Sequence, residues 1–525
     1  MKSCPEQTLE DSPTRVPWRQ LAGNRREQPT DDAIAEAVES LDPELYDPRR
    51  WGLSAAAVAA LAERLYEFWQ RFRRCFKTCT RDPSEQAYDY LRGQLTRASK
   101  RNFANMARTT TGHDGQALQH FMSNSPWSGQ GVFQQMQAEI TATPALGQGG
   151  TLILDESADE KAGTHNAGAA RQYNGRLGKV DLCRVDTCLT YANPTVGLWT
   201  LVDGELFLPE EWFGEERAEL RQELGIPPDR TFETKLELGL KMIKRVKAHG
   251  VPVELVACDA FYGRDRHFRA ALDAEDVPYA AQVPTDTLVY LREPRVGVPK
   301  KRRKRGRPRT RLRILSRQQP HEVRALARRP QTTWQHIHVR HTERGRLEAD
   351  FAVQWVWTVA EGQQPRAEWL VIRRDAEGDY SYTLLHAPAD TAHERLIEWS
   401  CRRYFTERTC EDAKTEIGWD EFQAQKYRAW EHHLALTAAA LWFVAQTKLA
   451  WAQMYARDPE LRRQLEVEVL PALSTANLRE LLKAILPLPQ LTLEQATDLV
   501  ITPLVNRARS TSSRLKSQLK PHDSS

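Results

Sequence analysis

VELVACD, Val253–Asp259, is a short run of mainly apolar residues that ends in a single carboxylate. Such a run, bounded by turn signals and too short for a helix, reads as a buried strand. Just upstream, Lys235–His249 has the apolar spacing of an amphipathic helix and stops at Gly250. Downstream come helical residues and then the strand-like Tyr279–Val283. Further up the chain, TLILD at Thr151–Asp155 repeats the pattern of an apolar run feeding one acid. Leu182–Tyr191 alternates, and Gly197–Phe207 reads as another strand with a turn signal at Val202-Asp203-Gly204. Strands, then a helix, then a strand make an α/β domain.

Working outward, residues 1–30 read as a loose polar arm and residues 31–147 as a helical domain. Val58, Leu61, Ala62, Leu65, Phe68, Trp69 and Phe72 keep helical spacing there. Short helices at Ser84–Leu95, Ser99–Met106 and Gly115–Met122 flank a Thr-Thr-Thr-Gly turn. They fit either a DNA-reading helix-turn-helix, using Lys100, Arg101, Gln119 and His120, or an ordinary helical bundle. Gly147–Gly150 marks a boundary, so the first part of the α/β unit covers 148–283. Residues 284–390 break its rhythm with strand-like pieces at Phe351–Val359, Trp369–Arg373 and Tyr380–His386, as an inserted β element would. Helices close the unit over 391–455, and 456–525 form a helical extension with a Ser/Arg tail.

The charge is unevenly placed. Lys+Arg 74 against Asp+Glu 70 gives 74 − 70 = +4. Ten of the fourteen residues from Lys300 to Arg313 are Lys or Arg, so the remainder carries 4 − 10 = −6. One concentrated patch, rather than a basic body, points to a polyanionic partner. A hydrophobic content of 41% with 15 Trp excludes a wholly disordered chain. The N-terminal MKSCPEQTLEDSP lacks the apolar core of a signal peptide. The apolar run near Leu434–Ala445 falls short of the ~20 residues of a membrane span. Eight cysteines show no Cys-x2-Cys spacing. The expectation is a reduced, cytoplasmic protein without a membrane segment.

Asp155 and Asp259 end separate apolar strands, which is where sites form in α/β sheets. Each alone reads as a capping Asp, and the two together as a shared cation site. RRYFTERTCEDAK, Arg402–Lys414, predicts a helix on which Arg403, Glu407 and Lys414 fall within roughly 40° of one face. A carboxylate flanked by two cations suits a metal beside phosphates, although a salt-bridged surface face has the same pattern. Glu411 is the rival carboxylate, roughly 80° away.

These motifs resemble the DDE transposases of bacterial insertion sequences, in the branch with a β insertion before the last acid and a Tyr-x2-Arg-x3-Glu-x6-Lys signature. The matching pieces are LDES (154–157), ARQYNGRLGKV (170–180), LPEEW (208–212), VACDAFYGRD (256–265), HAPADT (386–391) and Arg402–Lys414. The resemblance implies an RNase H-like core interrupted by the β-rich segment. It makes Asp155, Asp259 and Glu407 the catalytic and metal-binding acids, and Arg403 and Lys414 the signature Arg and Lys. Ser400 stands at the signature Tyr position, with Tyr404 one turn on. Glu156 stands where many relatives have Asp.

The activity implied by the resemblance is cleavage of DNA at terminal inverted repeats and strand transfer to target DNA. The implied cofactor is two Mg²⁺ ions, with Mn²⁺ as a substitute and no nucleotide. The implied assembly is a homodimer in a synaptic complex. Arg171, Tyr173 and Lys179 fit DNA contacts near the site, or a basic solvated hairpin. Arg305-Gly-Arg-Pro308 resembles the core of an AT-hook, in which Arg305 and Arg307 would enter an A·T minor groove. A disordered basic loop is the plainer reading. His432 and His433 have no partner at metal spacing and read as structural. Two other functions stay open: a catalytically silent DNA-binding derivative, and a metal-dependent nuclease without strand transfer.

Overall fold

The computed structural model describes residues 43–109, 114–161, 163–299, 310–342 and 345–486, with isolated positions between 497 and 512. Arg305 and Arg307 lie outside the described residues, as does most of the basic run.

Six strands build the centre: β1 (Thr151–Glu160), β2 (Ala170–Asn174), β3 (Lys179–Asn193), β4 (Leu198–Phe207), β5 (Leu255–Cys258) and β6 (Tyr279–Gln282). β1 pairs antiparallel with β3, and β3 antiparallel with β2 and β4. On its other side β1 pairs parallel with β5, and β5 parallel with β6. The ten-stranded sheet then continues past β6 through Tyr380–His386, Arg366–Arg374, Gly345–Thr358 and Gln335–Thr342, all antiparallel. The strand-like pieces of residues 284–390 therefore extend the same sheet.

Alternation along β1 sorts its side chains onto two helical layers. Leu152 and Leu154 face the helix Lys235–Ala248, whose Gly239 lies against Leu154. A Cβ at Gly239 would approach the Leu154 Cδ2 to 2.4 Å. Thr234 and Glu237 close a capping box at the start of that helix, and Leu238, Met242, Ile243 and Val246 form its buried stripe. Thr151 and Ile153 face the other layer. Arg402 donates to the Thr151 hydroxyl at 2.8 Å, and Ile153 shares a core cluster with Phe405. The helix Tyr404–Glu411 is pinned to β3 by a buried Thr190–Thr406 hydroxyl contact of 3.1 Å.

The N-terminal helices share one hydrophobic core with the sheet and with the helix Tyr427–Met454. That helix is long and apolar enough to cross a membrane by length and composition, but 83% of its most apolar window is buried inside the fold. His432 stacks on Trp127 and His433 on Phe422, so both are core histidines. Burial holds both far below their ordinary value, at about 3. Arg101 is 2% exposed and donates to Glu421, to the Gln94 carbonyl and to the Glu416 carbonyl. Its expected place on a DNA-reading surface is thus corrected: it ties the helical layer to the turn below Ile417. Lys100, Gln119 and His120 are exposed.

Candidate active site

The parallel register aligns Leu154 with Cys258, so Asp155 and Asp259 each stand one residue beyond the last paired position. β5 ends there, whereas β1 runs on to Glu160 against β3. Asp155 is therefore interior to its strand rather than at its end, as TLILD alone had indicated. Strand alternation turns it toward Tyr404–Glu411 and turns Glu156 toward Lys235–Ala248. The partners follow that division. Asp155 Oδ2 accepts from Arg403 at 3.2 Å, while Glu156 pairs with Lys235 and meets the Tyr262 hydroxyl at 3.4 Å.

Asp259 caps the short helix Ala260–Gly263, its Oδ1 accepting from the Phe261 and Tyr262 amides at 3.0 and 3.3 Å. The capping role expected of a lone Asp is thus real, yet it uses one oxygen only. Arg403 also pairs with Glu407, so its guanidinium sits between Asp155 and Glu407. Its Nε is buried without a hydrogen-bond partner. Glu411 is drawn away to Arg408 at 2.6 Å.

Burial raises the Asp155 carboxyl to about 6, with Arg403 opposing and the Asp259 and Glu156 charges adding to the rise. Burial likewise raises Asp259, against the Tyr262 amide and Arg403. It raises Glu156 against Lys235. These carboxyls are raised chiefly by burial, with Arg403 and Lys235 opposing, which marks a partly desolvated acidic cluster. Asp259 keeps one carboxylate oxygen free of the capping amides, an oxygen that a hard cation could take. The three acids do not all bring a ligand oxygen within 4.8 Å of one another. Among the described residues, one group of three acids brings its ligand oxygens within 4.8 Å of one another, and it is Asp375, Glu377 and Asp379 on an exposed turn.

The expected helix Arg402–Lys414 is not uniform. Arg403 precedes the α-helix, and after Glu411 the chain passes into a π-helical turn, Asp412–Ile417. The Asp412 carboxylate anchors that turn by accepting from the Trp199 indole at 3.0 Å and the Thr475 hydroxyl at 2.9 Å. Lys414 therefore lies in the π-helical turn, outside the regular α-helix that carries Glu407. The Lys414 ammonium lies 5.9 Å from the Trp419 ring centroid. Ser400 spends its hydroxyl on the Ile397 carbonyl at 2.7 Å, and Tyr404 lies under Arg340.

Arg171, Tyr173 and Lys179 sit on the β2–β3 hairpin, which carries β3 past the end of β1: Cys183 pairs with both Glu160 and Ala170, and the three residues lie beyond that row, away from Asp155. Tyr173 is 62% exposed, and Lys179 pairs with Asp181 at 3.2 Å. Lys235 and Tyr262 complete the environment of Glu156 and were not singled out in the sequence. The signal was present in Thr234-x-x-Glu237, which places Lys235 at a helix start, and in the spacing Asp259-x-x-Tyr262.

Matching to known families gives the class. The family model of the DDE superfamily endonucleases covers residues 71–346, just over half of the chain, and the chain belongs to that family. The match includes Asp155 and Asp259 and ends ahead of Glu407. Among individual proteins, the chain is similar to the probable transposase for insertion sequence element IS701 of Microchaete diplosiphon. The two are 26% identical over 210 residues, 40% of this chain and 51% of the relative. The chain thus matches about half the length of that curated relative.

Proposed function

We propose that the protein is a DNA transposase that binds the terminal inverted repeats of its insertion sequence, cuts there and joins the ends to target DNA. The observation that carries this is Arg403 held between Asp155 and Glu407, with Asp259 at the neighbouring strand end. The strand order β4-β3-β1-β5-β6, antiparallel on one side of β1 and parallel on the other, agrees with an RNase H-like core. In this reading the strands of residues 335–386 are its β insertion.

Asp155, Asp259 and Glu407 offer the anionic oxygens that hard cations take, so they would hold two Mg²⁺ ions, or Mn²⁺ instead. Bound there, the cations supply Lewis-acid stabilisation of the attacking and leaving oxygens of a phosphodiester. The protein's own residues position the DNA. Arg403, held between Asp155 and Glu407, and Lys414, on the π-helical turn that follows Glu411, would take phosphate oxygens. Arg171, Tyr173 and Lys179, on the hairpin beyond the end of β1, would meet DNA away from the acids, and Arg305 and Arg307 would belong to the minor-groove element. Processing two ends together calls for a homodimer.

The test is cleavage and joining of a duplex carrying the inverted repeats that flank the coding region, with Mg²⁺ added. Asp155→Asn, Asp259→Asn and Glu407→Gln are expected to abolish cleavage and leave DNA binding intact, whereas Glu411→Gln keeps both. An Asp155→Asn protein that cuts like the parent would sink the assignment. Binding without cleavage by the parent would favour the silent derivative, and cleavage without joining the simple nuclease.

A further inference from the structure

The edge strand Gln335–Thr342 pairs regularly with its neighbour until Val339, where a β-bulge shifts the register. Ile337 lies opposite Ala349, and beyond the bulge Arg340 lies opposite Leu347. Leu347, Ala349 and Phe351 share one face by alternation, and Phe351 pairs in turn with Arg373. Ala349 and Phe351 are buried against the helix His393–Ser400. Without the bulge, alternation from Ile337 would send Arg340 to the opposite face. With it, Arg340 and Arg373 share the rim of one face, and re-aiming a side chain is what bulges do.

That rim adjoins the helix bearing Glu407. The Arg340 guanidinium carbon is 3.5 Å from the ring centroid of Tyr404, the first residue of that helix. Burial depresses the Arg340 charge, and the Arg373 charge adds to this, while Tyr404, Cys401 and Glu407 act against it. Neighbouring arginines are compensated: Arg374 pairs with Asp350 at 2.6 Å, and Arg346 pairs with Glu468. Arg340 and Arg373 pair with no carboxylate among the described residues. Both are half-buried, and Arg373 Nε is buried without a hydrogen-bond partner. Two partly desolvated like charges within mutual range are unfavourable unless an anion lies against them. A planar guanidinium fixed on an aromatic face is suited to a phosphate.

We infer that Arg340 and Arg373, re-aimed by the bulge at Val339 and with Tyr404 as platform, form a seat for one DNA backbone phosphate beside Glu407. The seat rests on the nuclease reading and assigns it a positioning pair outside the acidic residues. A phosphate held there would fix the strand next to the one being cut.

The experiment is a salt series of binding to a mixed-sequence DNA duplex by the full chain, since a phosphate contact does not depend on sequence. Arg340→Ala/Arg373→Ala is expected to lower the slope of log affinity against log salt by about 1, the loss of roughly one phosphate contact. Arg340→Lys keeps the charge and keeps the slope. Arg346→Ala, on the same edge but paired with Glu468, leaves it unchanged. A merely structural role would lower the melting temperature and leave the slope alone. If the double variant does not fold, Arg340→Gln and Arg373→Gln singly carry the same comparison. An unchanged slope in folded variants, beside a normal parent, overturns the seat alone. A parent without salt-dependent binding overturns the nuclease reading and the seat together.

Discussion

Adjacent acids on one strand take different work because a strand alternates. Asp155 turns to Arg403 and Glu407, and Glu156 turns to Lys235 and Tyr262. Removing one charge therefore differs from removing the other. Glu156→Gln frees Lys235 and is expected to weaken cleavage partially, where Asp155→Asn abolishes it; equal losses in a cleavage assay would contradict the division. The Asp155 carboxyl also has a stability signature. Held at about 6 against an ordinary 3.8, it favours the folded chain while protonated, so this contribution is lost as pH rises through 6. In metal-free protein, Asp155→Asn is expected to raise the melting temperature at mildly alkaline pH, and the gain should vanish below about pH 4. Coincident melting curves at alkaline pH would refute it.

Elements position these residues through close approaches that leave no slack. Gly263, at the end of the helix capped by Asp259, lies so near β6 that a Cβ would come within 1.9 Å of the Gln282 carbonyl oxygen. Gly263→Ala must push that helix off the sheet and carry Asp259 with it. The expected result is a loss of about 1–3 kcal/mol in stability and a cleavage defect out of proportion to it. A variant that melts and cuts like the parent would show the helix to be loosely held. The helix Tyr427–Met454 has its own pH dependence. His432 and His433 stay neutral in the fold down to about 3, whereas in the unfolded chain they protonate near 6.5. Stability should then fall as pH drops through that window. His433→Phe, which keeps a ring against Phe422, should be less stable yet show a flatter acid limb in denaturant titrations.

Much of this was legible in the sequence, and the failures have physical causes. The apolar runs ending in Asp155 and Asp259, and the helix Lys235–His249, are local patterns that tertiary contacts reinforce. Helical period was equally clear for Arg402–Lys414, but the π-helical turn is imposed from outside, by Trp199 and Thr475 on Asp412, and no period reports that. Arg101 read as a surface cation because its partners, Glu421 and the Glu416 carbonyl, are some 320 residues away along the chain. Arg340 was invisible for a similar reason: a single bulge reverses the face that alternation assigns it.

On the scale of the whole molecule, charge is partitioned rather than averaged. A body of −6 carries a ten-cation segment on the chain between Asp259 and Glu407. Replacing Arg305 and Arg307 is expected to erase any preference for A·T-rich over G·C-rich duplexes, and neutralising the whole run to flatten the salt dependence of binding. Gel-shift comparison of the two duplex types checks the first; an equal preference in parent and variant would leave the run a nonspecific tether. The continuous pairing of β6 with Tyr380–His386 has one more consequence. A hinged flap could yield to a misplaced strand, but an outrigger cast in one piece with the hull cannot. The outer strands are hydrogen-bonded to β6, which pairs with β5 just below Asp259, so they cannot move without breaking the backbone pairing of the sheet that carries the acid.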